Sequence, residues 1–146
     1  MDAEPTGTTG AFGWTARGVT PVMVVDIVEP SVAFWTRRLG FVVTHEVPGE
    51  GVWEKTKASV SVRLARDGVE LVYQTRVSVA TGSREVAKRS FGHSVVLMLE
   101  VSSVAAVLRA LGDWPLLVPM WRTGAGTAGC YVEEPAGNVV GFLGPE

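Results

Sequence analysis

The chain has 146 residues, 47% of them hydrophobic, and a formal net charge of −2. This length predicts one domain with a sizeable core, and the charge gives no electrostatic basis for binding nucleic acid or an anionic membrane. No apolar run approaches the roughly 18 residues that indicate a membrane span, and no secretory signal is visible. Cys130 is the only cysteine, which excludes an intrachain disulfide, and we expect a reducing cytoplasm.

The first half of the chain predicts a strand, a helix and then further strands. We expect residues 1–18, rich in Gly, Thr and Ala, to form a flexible N-terminal arm. The apolar run 19–25 predicts a buried strand. Pro30 suits the first turn of a helix, and Gly40 ends it. Strands are predicted at residues 41–47 and 69–74, with a hairpin turn at Arg66-Asp67-Gly68 before the second of them. Between these strands, residues 52–57 and 59–65 are predicted to form either two strands or one long bent strand.

The second half follows a polar connection, residues 76–92, in which a short helix is predicted near 85–89. A helix is predicted at 104–111, with Ser102 or Ser103 as its N-cap. The last hairpin has its tight turn at Glu134-Pro135-Ala136-Gly137-Asn138. The other predicted elements are strands at 94–101 and 115–120 and a loop rich in Gly and Thr at 121–129.

The two halves also share a sequence repeat. SVAFWTRRLG at residues 31–40 agrees with SVAAVLRALG at residues 103–112 in six of ten positions. Such a repeat indicates a duplicated supersecondary unit, and each half predicts β-α-β-β-β. We therefore expect one domain, residues 19–146, made of two repeats at 19–75 and 93–144.

Four phrases, in this order, resemble the vicinal-oxygen-chelate superfamily of glyoxalases, bleomycin-resistance proteins and extradiol dioxygenases. EPSVAFWTRRLGF is similar to its first helix and second strand, DGVELVYQT to its fourth strand, LEVSSVAAVLRAL to its second repeat and YVEEPAGNVVGFL to its last hairpin. The resemblance implies an α+β fold of two βαβββ modules. Their curled, mixed or antiparallel sheets would form a cleft, with the two helices on the outer side. It also implies a homodimer, since members commonly build sites at module or subunit interfaces.

The resemblance places the metal ligands of the superfamily at positions that do not suit a metal. These positions are Thr20, Glu70, Val96 and Gly141, and only Glu70 carries a metal-binding group. His93 lies a few residues before Val96, and a shifted strand register would bring it near the site. We favour the interpretation that it is a histidine at the start of a strand. His45 is interpreted as an exposed strand residue. We therefore expect no bound metal and no cofactor.

The same positions predict a small-molecule cleft. We expect Gly141 to leave open space where a ligating Glu would stand, so that the cleft is deepened there. Trp53 and Trp121 are candidate aromatic walls, although core or dimer-interface packing is the alternative for both. The remaining candidates come from two strands, on each of which they share a face: Glu70 with Gln74, and Val96 with Met98.

Three classes of function remain open. The sequence favours a metal-free binding protein that sequesters a flat or cationic small molecule, such as an antibiotic or a metabolite. One alternative is a metal-dependent lyase, isomerase or dioxygenase, against which the missing ligands argue. The other is a metal-free enzyme that uses Glu70 as acid or base, since an apolar pocket would raise the pKa of its carboxyl. No clear catalytic pair supports that enzyme. No nucleic-acid or membrane partner is expected.

Overall fold

The computed structural model describes residues 12–49, 59–91 and 94–146, which form two four-stranded sheets. Sheet 1 has the strand order β1-β4-β3-β2 and sheet 2 the order β5-β8-β7-β6; in each, the first strand runs parallel to the last. The predicted α+β fold with duplicated βαβββ modules is confirmed. The strands are β1 (Val22–Val25), β2 (Val42–Pro48), β3 (Ser59–Arg66), β4 (Val69–Thr75), β5 (Leu97–Glu100), β6 (Trp121–Arg122), β7 (Thr127–Glu133) and β8 (Val139–Pro145).

Each module places one helix after its first strand. Helix α1 spans Glu29–Ala33 and continues as a π-helical turn, Phe34–Arg38. Helices α2 (Arg76–Gly82) and α3 (Arg84–Ala87) occupy the connection, and α4 spans Val104–Leu111. Gly40 and Gly112 follow the equivalent helices α1 and α4 with φ of +73° and +61°, a backbone conformation that favours glycine. No helix in the described ranges is long and apolar enough to cross a membrane.

The strand predicted at residues 115–120 is wrong. Within this segment only Leu116 makes a β-bridge, to Val132. Pro115 and Pro119 have no backbone N–H to give to a ladder. The second strand of module 2 is instead β6, which lies inside the predicted loop. The strand predicted at residues 52–57 lies outside the described residues.

Both sheets and both main helices pack into a single hydrophobic core. The ring centroids of Phe34 on α1 and Trp114 after α4 are 4.8 Å apart. Alternate residues of each strand face this core, so the other face of each sheet, called its outer face, points away from the core. Helices α1 and α4 pack against the core face of the sheets. Buried residues from every layer are Trp35, Leu64, Tyr73, Val104, Val140 and Phe142.

A buried carboxylate joins the two modules. Glu134, in the turn between β7 and β8, is only 1% exposed. Its Oε2 atom accepts hydrogen bonds of 2.8 Å from the hydroxyls of Ser31 and Tyr73 in module 1. Its Oε1 atom accepts hydrogen bonds of 2.9 Å from the backbone N–H groups of Ala136 and Asn138. Burying a charged group is costly unless it is fully hydrogen-bonded, and these donors meet that requirement.

Candidate functional site

Side chains fill the outer face of sheet 2 at the place where open space was expected. Register puts Gly141 of β8 between Met98 of β5 and Tyr131 of β7. A Cβ atom at Gly141 would lie 2.9 Å from Met98 Sδ and 2.8 Å from Tyr131 Cε1. These two side chains therefore lean over the glycine and fill the place that a glutamate ligand would need. The expectation of open space at Gly141 is wrong, because its neighbours occupy that space.

A second glycine on this face is covered in the same way. Trp121 of β6 pairs with Gly129 of β7, and a Cβ atom on Gly129 would lie 2.1 Å from Trp121 Cζ2. Aromatic rings laid over strand glycines are a known device for stabilising a sheet. We call Met98, Tyr131 and Trp121 together the apolar plate. Met98 is 42% exposed, so part of the plate is open to a ligand.

The outer face of sheet 1 carries the other predicted site residues. Glu70 is exposed there, and its Oε1 atom accepts a hydrogen bond of 3.2 Å from Arg63 Nη1. Gln74 lies two positions along β4 from Val72 on the same face, and its amide donates to Ser78 Oγ at 2.9 Å. The carboxylate thus already has a cationic partner within its own chain.

The structure brings the predicted residues together in two separate groups. Glu70 and Gln74 share the outer face of sheet 1, whereas Met98, Trp121 and Gly141 share that of sheet 2. Val96 precedes β5 and is 49% exposed. Trp53 and His93 lie outside the described residues.

Sequence reasoning missed a polar depression on sheet 1. Its lining residues are His45, Ser61, Arg63 and Val72. The alternation of Ser61 and Arg63 with buried Val62 and Leu64 was a usable signal for one polar face of β3. The position of His45 was not readable, because it depends on an irregularity in β2.

The described residues do not fit a metal centre. In the ranges 12–49, 59–91 and 94–146, no three His, Cys, Asp or Glu side chains come together as a donor group. Thr20 is exposed, Glu70 is paired with Arg63, and Val96 and Gly141 offer no side-chain donor. Transition-metal binding needs several nitrogen, oxygen or sulfur donors that converge on one point. The four superfamily positions do not supply them here.

Cys130 is also unsuited to chemistry. It lies on the inner face of β7 and is 1% exposed. Burial raises the pKa of its thiol, and the thiolate is the reactive form of cysteine. Its role is core packing.

A match to a known protein family agrees with this architecture. A family model described as the Glyoxalase/Bleomycin resistance protein/Dioxygenase superfamily matches residues 12–142. The chain belongs to this superfamily. A search of curated proteins found no significant match.

Solved structures show the same fold at low sequence identity. A glyoxalase/bleomycin resistance protein/dioxygenase from Nocardioides is 19% identical, with a TM-score of 0.63 and coverage of 96% of this chain and 91% of that one. The bleomycin-binding protein from Streptomyces verticillus, complexed with copper(II)-bleomycin, is 22% identical, with a TM-score of 0.57 and coverage of 91% and 99%. A lactoylglutathione lyase from Agrobacterium tumefaciens is 15% identical, with a TM-score of 0.61 and coverage of 88% and 93%.

Proposed function

We propose that this superfamily member is a metal-free protein that binds and sequesters a small molecule, such as an antibiotic or a metabolite. The observation that carries the proposal is the apolar plate. Where a metal-dependent member needs a carboxylate, Met98 and Tyr131 cover Gly141 with an apolar surface. Such a surface suits contact with a flat ligand, since apolar and aromatic residues line most small-molecule sites.

Two copies of the chain would complete the cleft. The outer face of sheet 1 in one copy and that of sheet 2 in the other would supply its walls. Exposed apolar side chains near both faces favour such pairing: Val22 is 48% exposed, Val95 71% and Val96 49%. Large apolar patches on a small protein commonly mark interaction sites, and two-fold dimers are the most common oligomers.

Two of the three structural neighbours named above suggest different functions, namely binding of bleomycin and lyase chemistry. Within this chain, Glu70 gives little support to the lyase or acid–base alternatives. It is exposed and held by Arg63, whereas a catalytic carboxyl is usually tuned by burial. Binding without catalysis therefore agrees best with the residues of the outer faces.

A thermal-shift screen of antibiotics and metabolites tests the proposal. We expect at least one compound to stabilise the wild-type protein, and expect Trp121→Ala or Tyr131→Ala to remove that effect. Trp14→Ala is the matched control, because Trp14 lies on the N-terminal segment and is 65% exposed. Elemental analysis of protein purified without chelator should show less than one metal ion per chain. Stoichiometric metal, or binding that survives both plate substitutions, would contradict the proposal.

A further inference from the structure

The polar depression on sheet 1 indicates the charge of the ligand, which the proposed function does not specify. We infer that His45, Ser61 and Arg63 form a binding site for an oxyanion group, such as a carboxylate, on the small molecule. This inference rests on the proposed function and names the charge of the ligand. The sequence instead allowed a flat or cationic small molecule, so the two interpretations differ in the charge of the ligand.

A bulge in β2 sets its register against β3. Val43 pairs with Leu64, but the next pair is His45 with Arg63, so Thr44 is an extra residue in β2. Without this bulge, Thr44 would lie opposite Arg63. The bulge therefore brings an imidazole beside a guanidinium on the outer face. β-Bulges are over-represented next to functional sites, where they redirect a side chain.

The side chains of the depression have hydrogen-bond donors that are available to a ligand. Neither the Ser61 hydroxyl nor the His45 ring has a hydrogen-bond partner among the described residues. Arg63 uses Nη1 for Glu70 and leaves the other edge of its guanidinium open. Val72, opposite Arg63 on β4, is only 8% exposed and gives the depression an apolar floor. A planar guanidinium with neighbouring donors is well suited to bind a carboxylate.

Glu70 competes with a ligand for Arg63. Its carboxylate holds Arg63 from one side, with 49% of the Glu70 side chain exposed. A pair this exposed is weak, so an incoming anion can compete for the guanidinium. Glu70 is then a competitor of the ligand and not its partner. Removing its charge should strengthen the binding of an anion and weaken the binding of a cation.

Calorimetric titration with two naphthalene probes of opposite charge tests the inference. We would use 2-naphthoate and 2-naphthylmethylammonium at one fixed ionic strength. We expect naphthoate to bind more tightly, Arg63→Gln to weaken it about tenfold, and Glu70→Gln to strengthen it several-fold. His45→Gln should weaken naphthoate in the same direction as Arg63→Gln. Arg84→Gln is the control, because Arg84 is exposed on α3, away from both sheets.

The outcomes separate this inference from the proposed function. Tighter binding of the ammonium probe, or weaker naphthoate binding in Glu70→Gln, overturns the oxyanion site and leaves small-molecule binding standing. Equal binding of both probes with no effect of Arg63→Gln does the same. If neither probe binds, the oxyanion site is overturned, and the proposed function falls only if the thermal-shift screen also finds no ligand. Circular dichroism of each variant confirms that the substitutions leave the fold intact.

Discussion

The hydroxyl of Tyr73 donates a hydrogen bond of 2.8 Å to the carboxylate of Glu134, a residue 61 positions later in the chain. The same hydroxyl accepts a hydrogen bond of 2.8 Å from Trp35 Nε1. Tyr73 thus connects an indole of α1 to the turn of the last hairpin. All three side chains are almost fully buried. The two modules are therefore joined by polar contacts as well as by their apolar core.

Replacing Tyr73 by Phe should destabilise the protein by about 1–3 kcal/mol. The substitution keeps the ring but leaves the Trp35 N–H without its acceptor and takes one donor from Glu134. Urea denaturation measures the effect. Tyr131→Phe is the matched control, because the Tyr131 hydroxyl bonds to no other described residue. Equal unfolding free energies for the two variants would argue against the importance of the network.

Stability should fall in alkali through the same tyrosine. Burial, and next the charge of Glu134, raise the pKa of Tyr73 above its ordinary value. The unfolded chain releases this proton above about pH 10 while the folded chain keeps it. The contribution is thus fully present below that pH and is lost as pH rises, by up to about 1.4 kcal/mol per pH unit. Urea midpoints at several alkaline pH values should fall more steeply for wild type than for Tyr73→Phe; parallel slopes would contradict this.

Two glycines of β8 should respond differently to alanine. A Cβ atom on Gly144 would lie 2.1 Å from the backbone oxygen of Val101, which cannot move without the strand. At Gly141 the neighbours are the ends of the Met98 and Tyr131 side chains, which can rotate away. We expect Gly144→Ala to cost about 3 kcal/mol or more and Gly141→Ala less. Denaturation of both proteins checks the order, and a reversed order would show that the plate is rigid.

A charge on an outer face should block pairing of two copies. Val22→Lys and Val96→Lys each place a cation on an exposed apolar site of the proposed interface. We expect wild type to sediment as a dimer and both variants to shift toward monomer, with unchanged circular dichroism. Val77→Lys on α2, where Val77 is 76% exposed, is the control. A wild-type protein that stays monomeric at high micromolar concentration would contradict the dimer.

The sequence was most informative where local chemistry decides the structure. The repeated helix, its glycine stops and the Asp67-Gly68 turn are all present, and Asp67 and Gly68 both take positive φ. Two adjacent residues with φ above zero are what a two-residue hairpin turn of type I′ requires. These signals, together with strand alternation, were enough to predict the duplicated fold.

The features that the sequence did not predict depend on contacts between side chains that local sequence patterns do not reveal. Glu134 was read as a turn residue, and nothing near it in sequence shows that Ser31 and Tyr73 bind its carboxylate. Likewise, the absence of a side chain at Gly141 does not reveal that Met98 fills the space. The partner of Glu70 was missed for the same reason, although Arg63 lies only seven residues away across a hairpin.

The hydrogen bond between Tyr73 and Glu134 can form only late in the synthesis of the chain. A ribosome adding about 5–20 residues per second needs about 3–12 s to pass from Tyr73 to Glu134. Through that interval the completed first half has Trp35, Tyr73 and Ser31 but lacks the carboxylate that two of them bind. The hydrogen bonds between the two modules can therefore form only after the last hairpin has been synthesised, which makes them a late step of folding during translation.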